Sequence, residues 1–164
     1  MISLFNHSEP SGAQFSPCGQ YRYGLWRKWD ADKPNIMFIG LNPSTATDTM
    51  DDPTIRRVKR FAMDWGYGGV YMCNLFAYIS PYPEDLKAWD DPVADNDKWL
   101  TFFATMCKDV LFAWGSFPEA DERAKIVIEM FPKAICLGLN KSGTPKHPLY
   151  IAANTKPIIY PQPH

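Results

Sequence analysis

The chain has 164 residues, 46% of them hydrophobic and 15% aromatic, enough for one well-filled core and too few for two ordinary domains. Lys and Arg total 17 against 18 Asp and Glu, so there is no global positive field and any nucleic-acid contact must use a local patch. No run approaches the ~18 apolar residues of a membrane span, and the opening MISLFNHSEPSG has neither the basic head nor the apolar core of an export signal, so a single cytoplasmic domain over residues 1–164, with no membrane partner, is expected.

In chain order, residues 1–20 carry Gly, Pro, Ser and Asn with little period and read as an irregular arm. Tyr21 to Trp29 is aromatic and imperfectly alternating, a strand or hairpin limb that could stack bases and touch phosphates, though burial favours aromatics packed on the core edge with the cations reaching solvent. Then comes the stretch around which the chain is organised. Ile36-Met37-Phe38-Ile39 is a continuous apolar run suited to a strand buried on both faces, and it stops at Gly40-Leu41-Asn42-Pro43-Ser44, whose residue types force a sharp turn. In an open α/β sheet, ligands bind at such carboxyl ends.

Asp51-Asp52-Pro53-Thr54 reads as a helix start with an acidic cap and proline in the first turn. Ile55, Val58, Phe61, Ala62 and Trp65 share one face of that helix, Arg56, Arg57, Lys59 and Arg60 crowd the other, and Gly66 ends it. The cluster is the densest basic patch of the chain, either a solvated face or a phosphate contact. Gly69 to Phe76 is a second strand, ending on Asn74. A short helical piece is expected around Glu84 to Ala88, a longer helix capped by Asp95 or Asn96, a third strand over Val110 to Gly115, a helix from Pro118 to Met130 and a fourth strand over Lys133 to Gly138. Leu149 to Ile151 and Ile158 to Tyr160 read as edge strands, and His147 stands before a proline in a polar loop.

Strands alternating with helices argue for a three-layer α/β/α sandwich with a central, mostly parallel four-stranded sheet. Neither a Gly-x-x-x-x-Gly-Lys-[Ser/Thr] loop nor a Gly-x-Gly-x-x-Gly turn occurs, and Ser44 lacks the Gly-x-Ser-x-Gly frame. Cys18, Cys73, Cys107 and Cys136 include no Cys-x-x-Cys pair and read as free, mostly buried thiols, so neither metal nor cofactor is expected.

Gly40-Leu41-Asn42-Pro43-Ser44 after the first strand, Asn74 ending the second, Leu111 to Gly115 as the third and His147-Pro148 after the fourth resemble the motifs of the uracil-DNA glycosylase superfamily, especially its branch with a Gly-x-Asn-Pro-Gly first motif. Over Tyr21 to Ile151 the chain is also similar to a family of short prokaryotic and phage proteins, the domain of unknown function 1643, with Asn42-Pro43-Ser44-Thr45, Asp52 to Arg57, Cys73 to Phe76 and His147 to Tyr150 as landmarks. The glycosylase resemblance implies hydrolysis of an N-glycosidic bond that releases a base, modified or not, from DNA. It implies that Asn42 holds the attacking water, that Gly40, Leu41, Pro43 and Ser44 shape the pocket, that Asn74 reads the base, and that His147 donates to the base carbonyl as charge develops. Arg56, Arg57 and Lys146 are the expected phosphate or nucleic-acid contacts. The sequence departs from that pattern at Ser44, where the branch has glycine, at Leu149, where a serine usually follows the His-Pro pair, and in the spacing of its cysteines. A nucleotide-binding or nucleotide-hydrolysing protein on the same fold, or a non-catalytic interaction module, remains open beside it.

Overall fold

The computed structural model describes residues 10–86 and 90–161. Seven strands and three α-helices follow in the order β1 (Ser11–Phe15), β2 (Arg22–Lys28), β3 (Asn35–Gly40), α1 (Pro53–Asp64), β4 (Gly69–Asn74), α2 (Val93–Ala104), β5 (Asp109–Phe112), α3 (Asp121–Met130), β6 (Ile135–Cys136) and β7 (Ile158–Ile159). They form one mixed sheet in the order β1-β2-β4-β3-β5-β6-β7. The β4-β3, β3-β5 and β5-β6 pairings are parallel, whereas β1-β2, β2-β4 and β6-β7 are antiparallel.

The sheet therefore has seven strands rather than the expected four. The additions are antiparallel and lie at both edges, where strand sequences need not be apolar. β1 is the polar SGAQF, inside the segment read as an irregular arm, and residues 1–9 of that arm lie outside the described residues. At the other edge β7 pairs two exposed isoleucines with β6.

β3 shows how the interior is divided. Its Ile36 and Phe38 cluster with Ile55, Val58, Phe61 and Ala62 of α1, and its Met37 and Ile39 cluster with Leu100 and Phe103 of α2 and Ala124 and Val127 of α3. Period-two alternation sends successive side chains to opposite faces, so a strand apolar at every position is what two covered faces demand. Full burial of each such side chain contributes about 1.5–3 kcal/mol.

α1 starts as its sequence dictates. The Asp52 carboxylate accepts from the Ile55 N–H at 2.8 Å, Pro53 occupies the first turn, and Gly66 leaves the helix with φ of 87°. Elsewhere several expectations shift. α2 begins at Val93, and Asn96 is not its cap but a fully buried residue inside it. The short helical piece is a 3-10 turn over Pro83–Asp85, with residues 87–89 outside the described residues. A 3-10 turn over Pro118–Ala120 precedes α3, β5 and β6 are shorter than expected, and Pro148–Tyr150 is a 3-10 turn where an edge strand was expected. Proline at the first position, without an N–H to give to a ladder, favours that turn over pairing. Cys73 and Cys136 are buried, Cys107 is half-buried and Cys18 is exposed, and all are free thiols.

Candidate functional site

Parallel strands joined by helical crossovers bring their carboxyl ends to one edge, and a cavity of about 660 Å³ opens there. Gly40, Leu41, Asn42, Pro43 and Ser44 after β3, Asn74 at the end of β4, and Lys146 and His147 beyond β6 all line it. Positions as far apart in sequence as 40 and 147 thus meet in one space.

The segments after β3 and β4 are stitched together. Leu75 N donates to Gly40 O at 2.9 Å and Phe76 N to Leu41 O at 3.0 Å. Asn42 adds a second clasp: its Nδ2 lies 3.0 Å from Pro43 O, 3.2 Å from Tyr78 O and 2.9 Å from Ser80 O. Three carbonyl acceptors fix which end of the amide is nitrogen, so the group Asn42 has left to offer is Oδ1, an acceptor.

Asn74 is only 2% exposed, and its Nδ2 is buried with no hydrogen-bond partner. Glycine at position 40 makes room for it, because a Cβ there would lie 2.8 Å from Asn74 Oδ1 and 2.7 Å from Met72 Cε. Behind it, Asn96 Nδ2 donates to Asn74 O at 2.9 Å and Leu75 O at 3.1 Å, and Arg123 Nε donates to Leu75 O at 2.8 Å. The strand end is held rigidly while the amide it presents is left unsatisfied.

His147 is placed by the segment after β6. Gly115 N donates to Pro145 O at 2.9 Å and Lys146 N to Gly138 O at 3.0 Å. Gly115 turns the chain after β5 with φ of 75°, and a Cβ there would lie 3.6 Å from His147 Cβ. The imidazole Nδ1 accepts from Leu149 N at 3.1 Å. Burial lowers the His147 pKa, opposed by the Asp52 carboxylate. An imidazole that accepts at Nδ1 and resists protonation carries its proton on Nε2, where it is a neutral donor.

The basic cluster on α1 does not join the site. Arg57 Nε donates to Pro148 O at 3.3 Å and its Nη2 to Ile151 O, Arg56 Nη1 donates to Asp51 O at 3.1 Å, Lys59 Nζ lies 2.9 Å from Asp51 Oδ2, and Arg60 Nε lies 3.3 Å from Asp64 Oδ1. Of the three expected phosphate contacts, only Lys146 lines the cavity. Lys59 and Arg60 are taken up by acidic side chains local in sequence, Arg56 by a backbone carbonyl and Arg57 by carbonyls more than 90 positions away, which is why a count of basic residues overstated the patch.

Among the cavity residues the sequence did not single out for the site, Arg22 and Asp52 carry charge. Arg22 was expected to reach solvent, yet it and Arg27 are only 2% and 6% exposed. Arg27 clamps the loop before α1, donating to Asp51 Oδ1 and Thr47 O at 2.8 and 2.7 Å, while Arg22 Nη1 donates to Ala46 O at 2.6 Å and its side chain lines the cavity. Asp52 caps α1 and lines the cavity as well. The available signal for Arg22 was its place between Tyr21 and Tyr23 in a strand, where a cation interrupts an aromatic run.

Fold and site together define a mixed α/β protein with a cavity at the carboxyl edge of its parallel strands. The chain belongs to the family described as a protein of unknown function (DUF1643), whose model matches residues 22–149. It is also similar to receptor expression-enhancing protein 6 of Homo sapiens, 30% identical over an alignment of 78 residues, with 42% of this chain and 37% of the human protein covered. The chain thus spans little more than a third of that relative. No solved structure matches it significantly. Among the described residues, no helix is long and apolar enough to cross a membrane.

Proposed function

We propose that the cavity takes a nucleobase-bearing substrate and hydrolyses its N-glycosidic bond, releasing the base from DNA. The observation that carries this reading is the unpartnered Nδ2 of buried Asn74 in the same cavity as His147. An orphan buried donor costs about 1–3 kcal/mol, which an acceptor on the edge of a bound base repays. When the bond between the anomeric carbon and the base nitrogen breaks, the electron pair leaves with the base, and the Nε2–H of neutral His147 donates to the oxygen on which that charge accumulates. Water then bonds to the oxocarbenium carbon. Asn42 Oδ1 orients that water by accepting one of its protons in a hydrogen bond, and the second proton is lost to solvent as the base is reprotonated. The placement of α1 against one face of the parallel strands and of α2 and α3 against the other supports the three-layer, glycosylase-like architecture that accompanies this reading.

A second reading, binding or hydrolysis of a free nucleotide, is favoured by the engagement of Arg57 and Lys59 with Pro148 O and Asp51, which leaves only Arg56 and Arg60 exposed on that face of α1 for a duplex. One experiment separates the two. The purified protein is incubated with DNA containing a panel of modified bases, and with free nucleotides in parallel, while released base and phosphate are followed by mass spectrometry. Base released from the polymer alone supports the glycosidic reading, and phosphate released from a nucleotide replaces it with the second.

A further inference from the structure

Arg22 is a buried cation with an unsatisfied proton. Its Nε, like Asn74 Nδ2, is shielded from solvent and has no hydrogen-bond partner, and both residues line the same cavity. A guanidinium and an amide nitrogen have only N–H bonds to give, so the ligand group that satisfies both is an acceptor. Charge narrows the choice further. Among the described residues lining the cavity, Arg22 and Lys146 are cations and Asp52 is the one carboxylate, two positive charges against one, on a chain whose net charge is −1. Asp52 Oδ1 is already engaged by Ile55 N. Burial draws the Arg22 pKa down to about 10 against an upward pull from the Asp52 carboxylate, so the group stays charged at neutral pH while its buried Nε lacks the solvation a ligand anion would replace.

We propose that Arg22 and Asn74 form a subsite for an oxyanion of the ligand, a negatively charged oxygen carried either by a phosphate or by the nucleobase itself. The proposal shares the cavity and Asn74 with the glycosidic reading, and it holds whether or not a bond is cut. In that reaction the same pair of donors would meet charge on the departing base, and in a nucleotide-binding protein it would meet a phosphate.

The test is calorimetric titration of the purified chain at pH 7 with inorganic phosphate, uridine 5′-monophosphate, orotate as a base bearing its own carboxylate, and neutral uridine. At least one anion is expected to bind about tenfold or more tighter than uridine, as charge-assisted hydrogen bonds require. Arg22→Met is expected to remove that advantage, and Arg22→Lys to keep part of it. Binding of phosphate and the monophosphate, in competition, assigns the subsite to phosphate, whereas binding of orotate without phosphate assigns it to the base. The proposal is overturned if no anion binds more tightly than uridine, or if a cooperatively melting Arg22→Met protein keeps wild-type anion affinity. Should Arg22→Met fail to fold, Asn74→Asp decides, because it replaces the donor with a carboxylate of the same shape: a loss of about tenfold or more supports the subsite, and unchanged affinity overturns it. Base release is scored on the same preparations. Anion binding without base release ends the glycosidic reading and leaves the subsite standing, and base release without anion preference does the reverse.

Discussion

Arg57 Nε donates to the Pro148 carbonyl at 3.3 Å, and the same guanidinium lies 5.1 Å above the ring of Phe61. A helix whose cations resemble a nucleic-acid surface is thereby tied to the turn that follows His147. Arg57→Ala should cost about 1–3 kcal/mol, because it strands two carbonyls, and should loosen that turn. Arg57→Lys should rescue little, since a single ammonium cannot reproduce the planar fork. The discriminating measurement is the salt dependence of ligand binding. A phosphate-contacting Arg57 would make the slope shallower on substitution, whereas a strap leaves the slope unchanged and lowers the melting temperature.

Asn42 has a structural duty that the sequence did not disclose. From the sequence, Asn42→Ala is expected to abolish turnover with little change in stability. With Nδ2 shared among the carbonyls of Pro43, Tyr78 and Ser80, the same substitution should lower unfolding free energy by about 1–3 kcal/mol. Asn42→Asp should be at least as damaging, because a carboxylate facing three carbonyl oxygens repels them. Denaturant titration of the two variants checks this, and an unchanged midpoint for both would show that the clasp contributes nothing.

The parallel core and the convergence of the strand ends were readable because both rest on short-range signals: apolar runs such as Ile36 to Ile39 and the turn residues that stop them. α1 was readable from Asp52 to Gly66 for the same reason. What could not be read depends on partners distant in sequence. Nothing near Arg57 announces Pro148, and nothing near Asn96 announces Asn74. Of the edge strands, β7 was readable at Ile158 to Tyr160, whereas polar β1 escaped because it owes its pairing to the sheet beside it rather than to its own composition. Arg22 escaped because isolated cations in strands usually reach solvent, whereas here its Nη1 is taken by Ala46 O of the loop before α1.

Asn96 is the buttress of Asn74. It is fully buried, and its Nδ2 reaches both Asn74 O and Leu75 O. Leu75 O keeps Arg123 if Asn96 is removed, but Asn74 O loses its side-chain donor. Asn96→Leu, close in volume, should therefore destabilise by about 1–3 kcal/mol and also weaken ligand binding, although residue 96 is not among those lining the cavity. Titration calorimetry on the folded variant is the check. Wild-type affinity at reduced stability would confine Asn96 to the core.

His147 yields a prediction with a definite sign. Burial lowers its pKa below the ordinary 6.5, against a weaker upward pull from Asp52. Between the folded and unfolded values the unfolded chain binds more protons, so stability rises with pH across that interval. The contribution is fully present above about 6.5 and is lost as pH falls through that value toward the lower folded one. The local cause is explicit, since a proton placed on Nδ1 abolishes its bond from Leu149 N. Catalytically, the neutral ring with its proton on Nε2 is the competent form under the proposed reaction, so the acid limb of base release should share the midpoint found by NMR titration of the ring. His147→Gln should remove both that limb and the matching part of the acid-side stability loss, while the fold survives at neutral pH. A ring midpoint at or above 6.5, or an acid limb that persists in His147→Gln, would falsify the assignment of His147 as a neutral donor.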